Sequence, residues 1–204
     1  MQITNNRIVK HNHYKLHREI TNTNISNMEK GKIGEKIIVD HIKKEIDIYH
    51  KIIQNVILSK DGKETEVDII LITCVGIYVI ESKNFRGYIY GTDTGKIWTE
   101  WFSHNCKYHF DNPILQNQYH IEFMAHNLNR DLSYFHSYIV FGDDAKLQKI
   151  TIQEDNKSKV VVINNKELIS KLIGDMHSRD IILSHEEIDK MYLDLKYFYS
   201  HLER

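Results

Sequence analysis

Residues 66–83 read EVDIILITCVGIYVIESK, and this segment sets the centre of the predicted fold. Two apolar runs flank a short connection, which is typical of an antiparallel hairpin. With Cys74 and Val75 in the turn, Ile70 faces Val79 and the other apolar positions face one another in the same register. We therefore predict two paired strands that are apolar along most of their length.

The predicted hairpin brings charged side chains together at its open end. The same register places Asp68 opposite Glu81 on one face, with Cβ atoms about 5 Å apart. Strand alternation puts Lys83 on that face too, opposite Glu66. Two carboxylates this close repel each other unless a cation lies between them, and Mg²⁺ favours oxygen ligands of this kind. The hairpin alone leaves two interpretations open: a metal site with a catalytic lysine, or a Glu66–Lys83 salt bridge beside solvated carboxylates.

Periodicity outside the hairpin predicts a mixed α/β domain with antiparallel hairpins at its centre. The predicted strands are Ile52–Leu58, Val67–Ile72, Ile77–Ile80, Tyr88–Tyr90, Ile97–Phe102, Ser137–Phe141 and Lys159–Ile163, with a turn at 60–63. The predicted helices cover residues 28–48, Pro113 to about Leu128 after a cap at Asp111 or Asn112, Asn164 or Asn165 to Ile173, and the residues after a capping box at Ser184.

Four short motifs occur in a fixed order on these predicted elements. They are GKIGE at 31–35, Asp68 alone, ESKNFRG at 81–87, and NPILQ at 112–116, which holds the only proline of the chain. Asp68 with Glu81-Ser82-Lys83 resembles the D…(D/E)xK core of the PD-(D/E)xK nuclease superfamily. The other motifs resemble the GxxGE, ExKxxxG and NPxxQ elements of one branch, the nuclease-related domain (NERD) family. The resemblance implies a restriction-endonuclease-like fold, a mixed central sheet with antiparallel hairpins flanked by helices.

The same resemblance implies a metal-dependent nuclease that hydrolyses phosphodiester bonds, with DNA as the expected substrate. Its implied metal ligands, for Mg²⁺ or Mn²⁺, are Asp68, Glu81, the Ser82 carbonyl and Glu35. Lys83 would be the catalytic lysine, and Gln116 would complete the catalytic set with Glu35, Asp68 and Glu81. The predicted nucleic-acid contacts are Lys32, Arg86 and Asn112.

Composition narrows the class of protein without identifying a partner. In a chain of 204 residues, 27 Lys+Arg against 28 Asp+Glu leave a net charge of −1, so no global basic field indicates nucleic acid. Two cysteines are too few for a disulfide framework or a cysteine-rich zinc module. No apolar run approaches the ~18 residues of a membrane span, so we expect a cytoplasmic protein without membrane contact.

Three segments are predicted, from the polar break at residues 21–27 and from the extent of the resemblance. Residues 1–27 form a polar, basic N-terminal arm, which is either a solvated tail or a contact to phosphates. Residues 28–130 form the nuclease-like core, and residues 131–204 complete the same domain with further strands and helices. A homodimer is compatible with the sequence.

The sequence also allows functions other than that of a nuclease. The main alternative is a non-cleaving nucleic-acid-binding or recruitment module with the same fold, and another is an interaction domain whose acidic cluster binds a structural cation. The spacing of His104, Cys106, His109 and His120 matches no tetrahedral zinc template, so we expect no zinc site. Two tryptophans, Trp98 and Trp101, are more typical of packing in a hairpin than of base stacking.

Overall fold

The predicted hairpin lies inside a larger sheet, in a computed structural model that describes residues 27–60, 62–102 and 106–202. The strands in these ranges are β1 (His50–Lys60), β2 (Lys63–Thr73), β3 (Gly76–Lys83), β4 (Tyr88–Thr92), β5 (Ile97–Trp101), β6 (Lys107–Asp111), β7 (Phe135–Phe141), β8 (Lys146–Thr151) and β9 (Val160–Asn164). The helices are α1 (Asn27–Glu45), α2 (Pro113–Leu128), a 3-10 turn (Leu132–Tyr134), the single-turn α3 (Glu154–Lys157), α4 (Asn165–Ser178) and α5 (His185–Leu202).

Nine strands of the described residues form two sheets. The large sheet has the order β1-β2-β3-β7-β9, in which β2 runs antiparallel to both β1 and β3, while β7 and β9 run parallel to β3. The small sheet has the order β6-β5-β4-β8, with β4 and β8 parallel. Helices flank the large sheet, so the predicted α/β class with a mixed sheet is confirmed. In the described ranges, no helix has both the length and the apolar character needed to cross a membrane.

The register of the central hairpin is the predicted one along its apolar part, but the predicted pairs Asp68–Glu81 and Glu66–Lys83 are not formed. Ile70 pairs with Val79, and the ladder runs in that register as far as Ile69 and Ile80. Gly76 closes the turn at φ 135°, a conformation that favours glycine. A Cβ atom there would lie 2.5 Å from the His136 ring and 2.9 Å from a backbone oxygen of the 3-10 turn, so only glycine fits.

The central strands bury an apolar layer on each face of the large sheet. On one face, β1 to β3 pack against α2 and α5, with Met124 and Leu195 fully buried. On the other face, β2, β3 and β7 pack against α1 and α4, where Ile42 and Leu172 are fully buried. Burial of two faces explains why these strands read as almost continuous apolar runs.

Strands β1 and β2 exchange faces at one position, where the pairs Gln54–Ile69 and Val56–Val67 flank the unpaired positions Asn55 and Asp68. Ile53 and Val56 both contact the α2 side of the sheet, although strict alternation would place them on opposite faces. Residues on both sides of Asn55 keep one register with β2, and Asn55 itself adopts the left-handed conformation with φ 52°. Strand β2 changes faces at the same point, since Val67 and Ile70 both contact the α2 side. Asp68 therefore lies at a local irregularity of the sheet.

The remaining elements agree with the sequence to different degrees. Helix α2 has the predicted bounds, and Ser184 and Glu187 form the predicted capping box at α5. Helix α1 ends three residues before the predicted limit, while α4 continues five residues beyond it. Strands β6 and β8 and helix α3 were not predicted. The predicted N-terminal arm lies outside the described residues apart from Asn27.

Candidate active site

Asp68 lies where β2 and β3 separate. Beyond Ile69 and Ile80 the strands no longer pair, and Asp68 Oδ2 accepts a hydrogen bond of 2.8 Å from the backbone N–H of Ser82. The N–H and C=O groups of one strand residue point toward the same neighbouring strand. The Ser82 carbonyl, one of the predicted metal ligands, is therefore directed to the side on which Asp68 lies.

Glu81 and Lys83 occupy the end of β3 on the α2 side. Glu81 is 1% exposed, and its Oε1 accepts a hydrogen bond of 2.6 Å from Lys83 Nζ. The same ammonium donates to Gln116 Oε1 at 3.0 Å. Lys83 thus pairs with Glu81 and Gln116, and the alternative salt bridge to Glu66 is not its ion pair in the structure.

The NPILQ motif places Gln116 through the start of α2. Asn112 caps the helix by accepting from the N–H of Ile114, and Pro113 occupies the first turn, where its missing N–H is not needed. One turn later, Gln116 reaches Lys83. The motif therefore acts as a helix start that aims a glutamine at the predicted catalytic lysine.

Glu35 approaches the site from α1, which packs on the opposite face of the sheet. It is 9% exposed, and the side chain of Asn84 ties the first turn of α1 to the loop after β3 by donating 2.9 Å to the Lys30 carbonyl. A Cβ atom on Gly34 would lie 3.7 Å from the Ser82 hydroxyl, which is ordinary contact. The GKIGE motif thus brings the helix close to the end of β3 with the glutamate facing inward.

Gly87, the last residue of the ESKNFRG motif, has a steric role. A Cβ atom there would lie 2.7 Å from the Trp101 carbonyl oxygen, so a larger residue would push β5 away. The buried Glu100 carboxylate accepts hydrogen bonds from the N–H groups of Arg86 and Gly87, at 2.8 and 3.0 Å. These contacts join the small sheet to the strand that carries Glu81 and Lys83.

The three carboxylates disfavour one another's charged forms. Burial, with the charge of Asp68, raises the pKa of Glu81 to about 7. Burial, followed by the charge of Asp68, also raises the pKa of Glu35. Asp68 has a raised pKa because burial outweighs its hydrogen bond from Ser82 and the attraction of Lys83. A bound cation or a proton stabilises a cluster of this kind, because it relieves the repulsion between like charges that are shielded from water.

Two of these carboxylates contain buried oxygens without a hydrogen bond. Glu35 Oε2 and Glu81 Oε2 are both in this state, and so is Nδ1 of the neighbouring His120. That nitrogen lies 3.8 Å from Glu81 Oε2. Burial lowers the pKa of His120 to about 4, so the ring is neutral near pH 7 and the contact is not an ion pair. His120 lies one helical turn after Gln116, a spacing that could have marked it from the sequence.

The oxygen donors are of the type that Mg²⁺ prefers, and the unsatisfied oxygens of Glu35 and Glu81 are available to a cation. Among residues 27–60, 62–102 and 106–202, however, no three His, Cys, Asp or Glu side chains are arranged to hold a metal ion between them. Lys83 already engages one Glu81 oxygen, and Ser82 engages one oxygen of Asp68. Since Mg²⁺ commonly binds one or two carboxylates and completes its shell with water, the donor set fits without a ready three-residue cage.

Asn55 is a site residue that the sequence analysis did not identify. It lies at the unpaired position of β1 that corresponds to Asp68 on β2, and it has φ 52°. A hydrogen bond from its side chain acts to lower the pKa of Glu35, against the effect of burial. A non-glycine residue in this conformation inside a strand is uncommon, and such residues concentrate at functional sites.

The predicted nucleic-acid contacts have different placements. Lys32 and Arg86 are exposed, on α1 and after β3 respectively. Asn112 is 2% exposed, and its amide donates to the carbonyls of Thr92, Asp93 and Gly95 at 2.7–3.2 Å. Its oxygen caps α2, so the side chain holds two elements together. That placement argues against the predicted contact to nucleic acid, because the amide has no exposed donor or acceptor to offer.

The described candidates for a zinc site do not converge. His109 is exposed and pairs with the Thr99 hydroxyl at 3.0 Å, whereas His120 is buried beside Glu81. Cys106 is an exposed free cysteine, and His104 lies outside the described residues.

Comparison with known proteins places these motifs in a family. An uncharacterized protein of Bacillus anthracis is 29% identical over 164 residues, which are 80% of this chain and 74% of that protein. A crystal structure of a protein of unknown function covers 84% of this chain and 99% of its own at 13% identity, with a TM-score of only 0.36. The model of the nuclease-related domain, NERD, matches residues 30–142, more than half of the chain and all four motifs. This chain belongs to the nuclease-related domain (NERD) family.

Proposed function

We propose that this protein is a metal-dependent nuclease that hydrolyses phosphodiester bonds in DNA. The observation that carries the proposal is the meeting of three inward-facing carboxylates with one lysine at the end of β3. The raised pKa values of Glu35, Asp68 and Glu81 give this cluster a reason to bind a cation. Acidic groups with perturbed pKa values beside a charged partner are typical of catalytic sites.

The residues that would hold Mg²⁺ or Mn²⁺ are Asp68, Glu81 and the Ser82 carbonyl, with Glu35 contributing directly or through water. When bound, such an ion neutralises charge on a phosphoryl group and lowers the pKa of a bound water. The buried oxygens of Glu35 and Glu81 that lack hydrogen bonds support this assignment.

Lys83 and Gln116 are the residues of the chain that would act on the phosphate. The Lys83 ammonium is held between Glu81 and Gln116, at 2.6 and 3.0 Å, so its position is set before substrate binds. An ammonium fixed in a partly buried site stabilises negative charge that develops on the phosphate oxygens, or orients the attacking water. Gln116 restrains the lysine and offers its amide N–H₂ to water or phosphate.

The decisive experiment compares the parent protein with Lys83→Ala on plasmid, linear duplex DNA, single-stranded DNA and RNA. Each substrate is incubated with Mg²⁺, Mn²⁺ or EDTA. We expect metal-dependent cleavage that EDTA abolishes and Lys83→Ala reduces by at least ~10²-fold. Lys36→Ala is the matched control, because Lys36 is an exposed lysine of α1 that pairs with Asp40. Absence of cleavage under all metal conditions would refute the nuclease proposal.

A second function, a nucleic-acid-binding or recruitment module that does not cleave, is favoured by two observations. Lys83 already forms a 2.6 Å ion pair with Glu81, and the described residues contain no ready three-residue metal site. An internal salt bridge of this kind could stabilise the sheet end without chemistry. Binding of oligonucleotides without cleavage, unaffected by Mg²⁺, would identify this second function.

A further inference from the structure

The small sheet has one aromatic face that is not part of the core. Residues directly opposite each other on paired strands share a face, so Tyr88 and Trp101 lie side by side, and Tyr90 lies on the same face. Tyr88 and Trp101 are 39% and 38% exposed, whereas Ile89 and Trp98, on the other face, are fully buried. We call the side that carries Tyr88, Tyr90 and Trp101 the outer face.

Basic side chains surround these rings on the outer face. Lys107 pairs with Trp101 across β5 and β6, and its Nζ lies 5.3 Å from the Trp101 ring centroid. Lys146 of β8 pairs with Tyr88, with Nζ 5.0 Å from that ring. Lys149 pairs with Tyr90. An ammonium group therefore lies over each of the Trp101 and Tyr88 rings.

The outer face ends at the candidate active site. A groove of about 380 Å³ is lined by Lys83 and Gln116 on one side and by β6 residues, including Tyr108 and His109, on the other. Strand β6 is the edge of the small sheet, and His109 lies on the outer face opposite Thr99. A chain that crosses the outer face and passes over the β6 edge reaches Lys83.

We infer that the outer face binds unpaired nucleotides of the substrate strand, with bases stacked on Trp101, Tyr88 and Tyr90. Aromatic rings offer a stacking surface only to a base whose own face is free, which a paired base inside a duplex does not have. The lysines match the charge of the phosphates, and their flexible side chains can turn from the ring faces toward the phosphates when bases stack on the rings. The inference rests on the proposed nuclease function, since it names the substrate of the same site as single-stranded nucleic acid or a single-stranded segment.

The test measures binding in EDTA, where cleavage does not consume the ligand. Fluorescence anisotropy follows labelled oligo(dT) of about 20 nucleotides and a duplex of equal length, with the parent and a Tyr88→Ala/Trp101→Ala double variant. We expect the parent to prefer the single strand. The double variant should bind it at least ~30-fold more weakly, because the stacking contacts of two rings are lost. Tyr197→Ala is the matched control, an exposed tyrosine on α5 that should leave affinity unchanged.

A second readout follows the tryptophans, of which this chain has two. Oligo(dT) should quench the emission of the parent protein. In Trp101→Phe the quenching should be small, because only the buried Trp98 remains, while affinity stays within a few-fold. Circular dichroism of the double variant verifies that β4 and β5 are still folded.

Each outcome separates the two proposals. Quenching and strand preference in a protein that never cleaves would uphold the outer-face inference and refute the nuclease function. Cleavage of single strands with unchanged affinity in the folded double variant would refute the inference and leave the nuclease function standing. A parent that sediments as a dimer, and a double variant that sediments as a monomer with unchanged oligonucleotide affinity, would assign the outer face to a second copy of the chain instead.

Discussion

Replacing Glu81 with glutamine should stabilise the metal-free protein at about pH 8, even though the change removes the ion pair with Lys83. Burial and the charge of Asp68 raise the pKa of Glu81 from 4.5 to about 7, so the folded state holds a proton that the unfolded chain would release. This preference stabilises the fold below pH 4.5 and is lost as the pH rises through 7. A pKa difference of this size corresponds to roughly 3 kcal/mol, and the amide has no proton to lose.

The assay is urea denaturation of the parent and Glu81→Gln in EDTA, at pH 4.5 and about pH 8. With a slope of about 2–3 kcal/mol per molar urea, the variant midpoint should exceed the parent midpoint by about 1 M at the higher pH. The gap should be small at pH 4.5, where the parent carboxyl is protonated. The lowered pKa of His120 gives both proteins stability that falls toward pH 4, so the decisive comparison is the one at about pH 8, where the ring is neutral. A variant no more stable than the parent at high pH, or a gap independent of pH, would refute the assigned pKa of Glu81.

Three further predictions test single residues. Asp68→Asn should abolish the rise in melting temperature that Mg²⁺ produces in the parent; a retained rise, by differential scanning fluorimetry, would remove Asp68 from the ligand set. Asn55→Ala should have a free energy of unfolding about 1 kcal/mol lower than that of Asn55→Gly, because only glycine adopts φ 52° without a steric cost; equal urea midpoints would show a relaxed backbone. Asn112→Ala should cost about 2–4 kcal/mol of stability through the lost cap and unpaired carbonyls, while the folded fraction keeps its affinity for oligonucleotides; weaker binding would restore Asn112 as a contact.

The parts of the fold that could be predicted from the sequence are those with strong local signals. The register of Ile70 and Val79 follows from a short turn between apolar runs, and the bounds of α2 follow from Asn112 and Pro113. Strands β6 and β8 escaped prediction because they are largely exposed and carry few apolar residues. Their strand conformation depends on the neighbours that pair with them.

The candidate site also contains residues that the sequence predicted and residues that it did not. The motifs indicated that Asp68, Glu81, Lys83 and Gln116 belong together, and the structure places them at one sheet end. The position of Asn55 could not be predicted, because its neighbours read as an ordinary strand and its left-handed conformation depends on contacts with β2 and α1. The prediction that Asn112 binds nucleic acid came from its place in a motif. In the structure, this motif residue caps the start of α2 instead.

The spacing of the strands along the chain also has a consequence for the order in which the site forms. Ile70 and Val79 are 9 residues apart, whereas Ile80 and its parallel partner Tyr138 are 58 apart, since β4 to α2 lie between them. Closing the longer loop costs about 1.7 kcal/mol more in chain entropy. The hairpin that carries Asp68 and Glu81 should therefore form early, while water still solvates both carboxylates. Burial of Glu81 is completed only when α2 docks, so that packing step should take up a proton, or a cation when one is present.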